Sequence, residues 1–371
     1  MGKIMNIHFL VDSVYSKHFI EVNKTIDKDS IYIVLNKTIK HLDKKDVVLI
    51  PMSGEYSIKR NFFRFIKSFL SLEHYLRKAD RVYFHFLEDL YCYIILFLIR
   101  KKKTYWLLWG ADLYNRIDYE LYDEYTKKIL LELGKNIKRN KSKLNKKIER
   151  LAIQKISYIG TIIDGDYKLI SKNFNVYNNR LQFFYTNPLK FDEYPSRKER
   201  NSEINILIGN SGDPSNNHFT VLNSLRVFKG IKVLCPLSYG DPDYISRVIE
   251  YGKSLFGNSF IPLIEFMNET DYLAVLDSID VAIMNHFRQQ ALGNIFAILS
   301  LGKPLFINSE SPVFDFLLQH GITVQDTKKI LKGEVFTFSP NSKEIRISNY
   351  LAVKELNSEK VAIEYIKNLY K

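Results

Sequence analysis

Two stretches of this sequence combine residues that free the backbone with side chains that bind anions. The first, "ILIGNSGDPSNNHF" at 206–219, leaves an apolar run for a loop holding Gly209, Asn210, Ser211, Gly212, Asp213 and Asn216. It resumes with Phe219, Leu222 and Leu225 at helical spacing. Glycine adopts positive φ without strain, and Ser, Asp and Asn cap helix N-termini. Such a loop therefore presents backbone N–H groups and the positive end of a helix dipole to a phosphate. A well-capped strand-to-helix turn has the same composition, and the spacing fits neither the Walker nor the dinucleotide fingerprint. The second stretch, "MNHFRQQALGN" at 284–294, places Arg288, Gln289 and Gln290 ahead of Gly293 and Asn294 at the start of an apolar helix. A guanidinium pairs bidentately with phosphate oxygens. Two such loops, each after a parallel strand, are expected to share one diphosphate, with His218 beside it.

The first half offers candidates for proton transfer. "RVYFHFLEDL" at 81–90 supplies His85 and Glu88, and "TYWLLWGADLY" at 104–114 supplies Trp109, Gly110 and Asp112, all directly after apolar strands. A carboxylate or imidazole there serves as general base toward a hydroxyl within hydrogen-bond reach. The Trp109 face suits a sugar ring. The alternatives are a helix cap for Asp112 and a satisfied core histidine for His85. Asp241-Pro242-Asp243 has the pattern that holds a metal in some nucleotide-sugar enzymes, but Asp at an N-cap with Pro at the first helical position explains it more simply. No other His, Cys or carboxylate grouping has metal-ligand spacing, and no nucleophile elbow occurs. No metal and no bound cofactor are expected.

The stretch "IKRNFFRFIKSFLSLEHYLRK" at 58–78 sets Phe62, Phe65, Phe69, Leu72 and Leu76 on one helical stripe, with Arg64, Lys67 and further basic residues mostly elsewhere. That composition serves an interfacial helix on anionic lipid as well as a buried helix with a solvated basic face. A second basic run, 134–155, contains no Tyr or Phe for base stacking, which argues against a nucleic-acid partner.

These pieces are carried by 371 residues with 46% hydrophobic content, 14% aromatics and a formal charge of +13, enough for two cores. The two cysteines, Cys92 and Cys235, lie in separate apolar runs, which excludes a disulfide framework and points to a reducing compartment. The apolar run 90–99 is about half of what a spanning helix requires. The N-terminal apolar stretch, broken by Asp12, reads as a first strand rather than a signal, so a cytoplasmic location is expected. Strand-like segments at 4–11, 31–35, 46–50, 81–87, 104–109, 156–163 and 181–185 are interleaved with helical ones at 59–78, 88–101, 136–155 and from 164. The alternation restarts at 204, with strands at 204–209, 231–235, 259–264, 280–284 and 304–307. That is the signature of parallel sheets built from βαβ units. The polar "NPLKFDEYPSRKERNSE" at 187–203 has no apolar period. The expected organisation is α/β: two Rossmann-like domains facing a cleft, at 1–187 and 204–342, with a linker at 188–203 and closing helices at 343–371.

"WGADLY", "ILIGNSGDPSNNH" and "FRQQALGN…LGKPLFIN" together resemble the bacterial 4-acetamido-4,6-dideoxygalactose transferase family, in matching order from about residue 80 to about 315. The resemblance implies the glycosyltransferase B architecture, and helix N-termini with Arg288 in place of a divalent ion lead to the expectation of metal-independent transfer. The sugar would be 4-acetamido-4,6-dideoxygalactose or a related deoxysugar, passed from a nucleoside diphosphate, TDP-linked in that family, to a polyprenyl-diphosphate-linked glycan. The implied setting is surface polysaccharide synthesis of the enterobacterial common antigen type, peripheral to the cytoplasmic face of the inner membrane and its anionic surface. Carried onto this sequence, it places the residues of the 209–218 and 288–294 loops on the donor side, and Trp109, Gly110 and Asp112 on the acceptor side. A sugar-nucleotide epimerase or a capsule transferase of other specificity on the same fold is the near alternative. A basic nucleic-acid-binding protein is the distant one.

Overall fold

The structure is a computed structural model that describes residues 4–52, 62–137, 141–185, 203–334, 338 and 341–371, with the backbone alone at 62–65. The chain forms two compact units. The first comprises Met1–Ile117, Asn140–Pro188 and Asn357–Lys371; the second comprises Asp118–Arg139 and Leu189–Leu356.

In chain order the first unit contains β1 (Asn6–Phe9), α1 (Val14–Ile26), β2 (Ile31–Val34), β3 (Val48–Leu49), α2 (Phe62–Lys78), β4 (Arg81–His85), α3 (Asp89–Phe97), β5 (Lys103–Leu107) and α4 (Ala111–Tyr114). After α5 (Glu124–Glu132), which lies in the second unit, it continues with α6 (Lys143–Lys155), β6 (Tyr158–Gly160), α7 (Asp164–Phe174) and β7 (Asn179–Leu181). The strands pair in parallel in the order β3-β2-β1-β4-β5-β6-β7. The middle strands are buried along nearly their whole length, as expected of a parallel sheet covered on both faces. Ile7, Phe9, Val82, Phe84 and Trp106 are completely buried. Strand order reverses between β1 and β4, so the loops after these strands open at the topological switch point, where open α/β sheets bind ligands.

The second unit holds β8 (Ile204–Ile208), a 3-10 turn (Pro214–Asn216), α8 (His218–Leu225), β9 (Ile231–Pro236), α9 (Pro242–Phe256), β10 (Phe260–Leu263), α10 (Glu269–Ser278), β11 (Val281–Met284) and α11 (Leu292–Ser300). It continues with β12 (Leu305–Ile307), α12 (Pro312–Gln319), β13 (Gln325–Asp326), α13 (Lys328–Leu331) and α14 (Lys343–Leu356), after which α15 (Glu359–Leu369) closes the chain. Its parallel sheet runs β10-β9-β8-β11-β12-β13, with the reversal between β8 and β11.

The partition differs from the expected one in two places. Residues 118–139, expected with the first half, join the second unit because α5 delivers Ile129 and Leu130 to its core, and Tyr125 stacks on Phe219 at 5.6 Å. The expected pair of closing helices is divided: α14 packs on α11 of the second unit, while α15 packs on α1 and adds Ile366 and Leu369 to the core of the first. The expected linker at 188–203 lies outside the described residues except for Glu203.

Candidate functional site

In the second unit, β8 and β11 are neighbours with Ile208 opposite Ile283, so the loops that follow them leave the sheet side by side. The first loop is shaped by a glycine. Gly209 has φ +66, and a Cβ there would lie 2.8 Å from His218 Nε2 and 2.9 Å from Asn216 Oδ1. Any other residue would be strained and would collide with both. Asn216 ties the loop from inside: its Oδ1 accepts from Asn210 N at 3.1 Å, and its Nδ2 donates to the carbonyls of Ser211 and Asp213 at 3.1 Å each. Asp213 caps the 3-10 turn by accepting from Ser215 N at 2.9 Å. Gly212 then pairs with the loop after β9, donating to Tyr239 O at 2.7 Å and accepting from Asp241 N at 3.2 Å. A Cβ on Gly240 (φ +135) would lie 2.2 Å from the Gly212 carbonyl carbon, so that approach also requires glycine.

The second loop closes on the first. Gln290 Nε2 donates to Asn210 Oδ1 at 2.9 Å, and Gln290 Oε1 accepts from Ser215 Oγ at 2.7 Å. Arg288 Nε donates to Ser215 Oγ at 3.3 Å, and its guanidinium stands 4.0 Å from Asp213 Oδ2. Gly293 and Asn294 occupy the first turn of α11, half-buried. Four buried polar atoms on these loops reach no hydrogen-bond partner among the described residues: His218 Nε2, both ring nitrogens of His286 and Gln289 Oε1. Burial holds both imidazoles neutral, lowering His218 to about 4 and His286 to about 3. Buried polar groups of this kind are ordinarily satisfied by water or by a bound ligand.

Several residues that shape this site escaped the sequence reading. Asn217, buried and left-handed at φ 52, donates to the carbonyls of Asn285 at 3.0 Å and Ser215 at 3.2 Å, and accepts from Asp123 N at 2.9 Å. Its signal was available, since Asn is the side chain other than Gly that most readily enters this region. Tyr119, whose hydroxyl donates to Phe287 O at 3.1 Å, comes from the 118–139 segment and has no local signal. Asp241 accepts from Asp243 N at 3.1 Å and Tyr244 N at 3.0 Å as the N-cap of α9, and Lys135 pairs with both Asp241 and Asp243. Among the described residues no group of three His, Cys, Asp or Glu is placed to hold a metal ion.

In the first unit the expected bases are placed differently from one another. Asp112 is buried, and its carboxylate accepts from Leu87 N at 2.9 Å, Trp106 Nε1 at 2.6 Å and Trp109 N at 3.0 Å. It ties the loop after β4, where Phe86 is left-handed at φ 71, to the loop after β5. With both oxygens engaged and the side chain buried, Asp112 sits here as a tether between the two loops, whereas the sequence offered it as a base. His85 is also fully buried, with one nitrogen bonded to His8 and the other to the Tyr185 hydroxyl, so it has no direct access to a substrate. Glu88 stands at the N-cap position of α3, half-buried, without a side-chain cap bond. Burial and then neighbouring Asp89 push its carboxyl above the usual range. Trp109 is half-buried, meeting Tyr185 edge-on at 5.1 Å and Tyr15 at 5.9 Å, and Gly110 turns the chain into α4 at φ 95.

The expected membrane stripe is corrected in part. Leu72 and Leu76 are buried and Phe69 is half-buried, so this face of α2 packs inward, while Lys67, Ile66 and Leu70 are exposed. The side chains of Phe62, Arg64 and Phe65 lie outside the described residues.

Comparison with known proteins extends this geometry. Residues 130–337 match the family model described as 4-alpha-L-fucosyltransferase, glycosyl transferase group 56. The whole chain is similar in fold to sucrose-phosphate synthase from Thermosynechococcus elongatus, at 10% identity and TM-score 0.67, covering 99% of this chain and 98% of that one. Anabaena HepE in complex with UDP and glucose matches at 10% identity and TM-score 0.67, covering 99% of each chain. A glycosyltransferase from Rickettsia africae matches at 14% identity and TM-score 0.66, covering 100% of this chain and 98% of that one. The fold is the glycosyltransferase B fold.

Proposed function

This chain belongs to the 4-alpha-L-fucosyltransferase family, glycosyl transferase group 56, and we propose that it moves a deoxysugar of the 4-acetamido-4,6-dideoxygalactose type from a nucleoside diphosphate, TDP foremost, to a polyprenyl-diphosphate-linked glycan. The enzyme is a hexosyltransferase of the glycosyltransferase B fold. The observation that carries the donor assignment is the unsatisfied set on the two loops of the second unit, His218 Nε2, His286 and Gln289 Oε1, beside Arg288 and the start of α11. A diphosphate supplies acceptors to the imidazole N–H groups of this set. The helix N-terminus and the guanidinium would stabilise the negative charge that builds on the departing nucleoside diphosphate, without a metal ion. HepE, which shares the fold, binds UDP and glucose in its structure. Trp109 and Gly110 are the acceptor-side residues in this reading. Arg288→Ala is expected to weaken nucleoside diphosphate binding by about 1.5–3 kcal/mol, the range for a hydrogen bond to a charged group. Isothermal calorimetry with TDP and UDP measures it, and unchanged affinity for both removes the diphosphate from this loop.

A lipid-linked acceptor also calls for contact with a membrane. Among the described residues no helix is long and apolar enough to cross one. The first unit does expose Leu70 at 57% on α2 and Leu144 at 65% on α6, with Lys67, Lys143, Lys146, Lys147 and Arg150 exposed on the same two helices, and Phe97 at 64% at the end of α3. Apolar side chains set among cations match the interface of an anionic bilayer. The protein is expected to sediment with anionic liposomes at low salt and to be released in part at high salt, where screening shortens the electrostatic range. Failure to sediment at any salt concentration would remove the membrane from the proposal and leave the donor site as it stands.

A further inference from the structure

One residue of the first unit is held in a backbone conformation that its side chain opposes. Phe86, directly after β4, is left-handed at φ 71. For a bulky residue this region is a genuine outlier, and such strain persists only where the surroundings over-determine it. Here they do. Phe86 N donates to Leu107 O at 3.2 Å, Leu87 N donates to the Asp112 carboxylate at 2.9 Å, and Leu87 O accepts from the Arg116 guanidinium. Asp112 is buried, and so is the side chain of Arg116, which pairs with Asp89 at 2.8 Å and with Glu149. Two buried charged groups thus fix the residue that follows Phe86.

What this conformation sets is the position of a ring. Phe86 stands edge-on to Trp109 with centroids 6.2 Å apart, and Tyr15 and Tyr185 meet the same indole at 5.9 Å and 5.1 Å. The four follow β1, β4, β5 and β7, around the reversal of strand order between β1 and β4. All four are half-buried, so each keeps part of its surface open to solvent. The Trp109 indole N–H is buried and reaches no hydrogen-bond partner among the described residues. A buried donor of this kind is met by ordered water or by a ligand oxygen. Trp106, three residues earlier, shows the contrast: it is fully buried, and its N–H is donated to Asp112 at 2.6 Å.

We propose that Phe86, Trp109 and Tyr15 form a sugar subsite on the first unit, holding one pyranose ring of the glycan acceptor. The apolar C–H face of the ring packs on the aromatic side chains, and a sugar oxygen accepts from the indole N–H. Binding sites of this sort combine an aromatic lining with a few polar groups that fix orientation. A prenyl chain would cover the rings equally well, but it has no oxygen for the N–H. Phe86 is then a specificity residue, and the buried pairs around Leu87 are what keep it in place. That the ring belongs to an acceptor rests on the glycosyl-transfer reading; the subsite itself lies on the first unit alone.

The chain has two tryptophans, and Trp106 is shielded, so the intrinsic fluorescence of the full chain reports ligands at Trp109. Methyl glycosides of the common pyranoses, with and without an acetamido group, are expected to change it saturably. Saturation-transfer NMR should show the strongest transfer at the C–H protons of the ring. Phe86→Gly is the sharpest variant, because glycine takes this φ without strain and only the side chain is lost. It is expected to stay folded in thermal melts and to weaken glycoside binding about tenfold, the loss of one aromatic contact. Trp109→Phe keeps a ring and removes the N–H, and should weaken binding in the same NMR titration. No saturable response to any glycoside, or full affinity in a folded Phe86→Gly, overturns the subsite. Transfer to the methyl groups of farnesyl diphosphate with none to a glycoside makes the cluster a prenyl groove and overturns it as well. If TDP or UDP binds while no glycoside does, the subsite falls and glycosyl transfer stands. If glycosides bind and no nucleotide does, the subsite stands and the transfer reading falls.

Discussion

Lowering the pH from 7.5 to 5 is expected to destabilise this protein by several kcal/mol, well before most of its carboxylates titrate. Burial lowers His8 and His286 to about 3 and His218 to about 4, and takes His85 well below its ordinary value. In the unfolded chain all four titrate near 6.5. Below that value the unfolded chain binds protons that the folded protein refuses, so stability is unaffected above about pH 7 and falls as the pH drops through 6.5 toward 4. At pH 5, about 1.5 units below the unfolded value, each such histidine costs about 2 kcal/mol. The two in each unit together cost about 4 kcal/mol, close to the lower end of a typical domain's stability of about 5–15 kcal/mol. Two groups act in the opposite sense: burial raises the carboxyls of Asp112 and Glu88, so their protonation on acidification relieves part of the loss. Urea unfolding at pH 7.5, 6 and 5 measures the balance. A midpoint that holds constant over that range would mean the histidines are not buried and neutral. His8 and His85 lie in the first unit and His218 and His286 in the second, so both units are expected to weaken together.

Asp112→Asn is expected to cost about 3 kcal/mol of stability, because the carboxylate is the joint between two loops. Its Oδ2 accepts from both Leu87 N and Trp106 Nε1, and its Oδ1 accepts from Trp109 N. An amide keeps the shape and replaces one acceptor by a donor, so a buried N–H loses its partner and meets another N–H. The beginning of the loop after β5, from Trp109 through Gly110, then loses its anchor. The measurement pairs a urea midpoint with kcat at a temperature where the variant is still folded. A catalytic base would give the reverse pattern, with stability unchanged and kcat lowered by about 10²–10⁴-fold.

The two loops at the second switch point were legible in the sequence because their information is local. A glycine that must take positive φ, carboxylates and amides that cap, and an arginine after an apolar strand all announce themselves within a dozen residues, and the structure brings Arg288 and Gln290 onto Ser215 and Asn210. The alternation of strands and helices was legible for the same reason: period and turn chemistry are properties of short windows. The role of Asp112 was not, since the same residue after a strand serves as base or as tether, and only the positions of Leu87 and Trp106 decide which.

Local pattern alone therefore carries the fold class, two parallel α/β sheets, and the composition of the two loops at the second switch point. What the tertiary structure alone decided is which distant residues complete them. Tyr119 reaches Phe287 across 168 positions, α15 joins the first unit from the far end of the chain, and Tyr185 meets His85 across 100. Hydrogen-bond partnership depends on distance in space. Parallel strands joined by long crossovers put residues far apart in sequence at neighbouring strand ends, where no local pattern records the meeting.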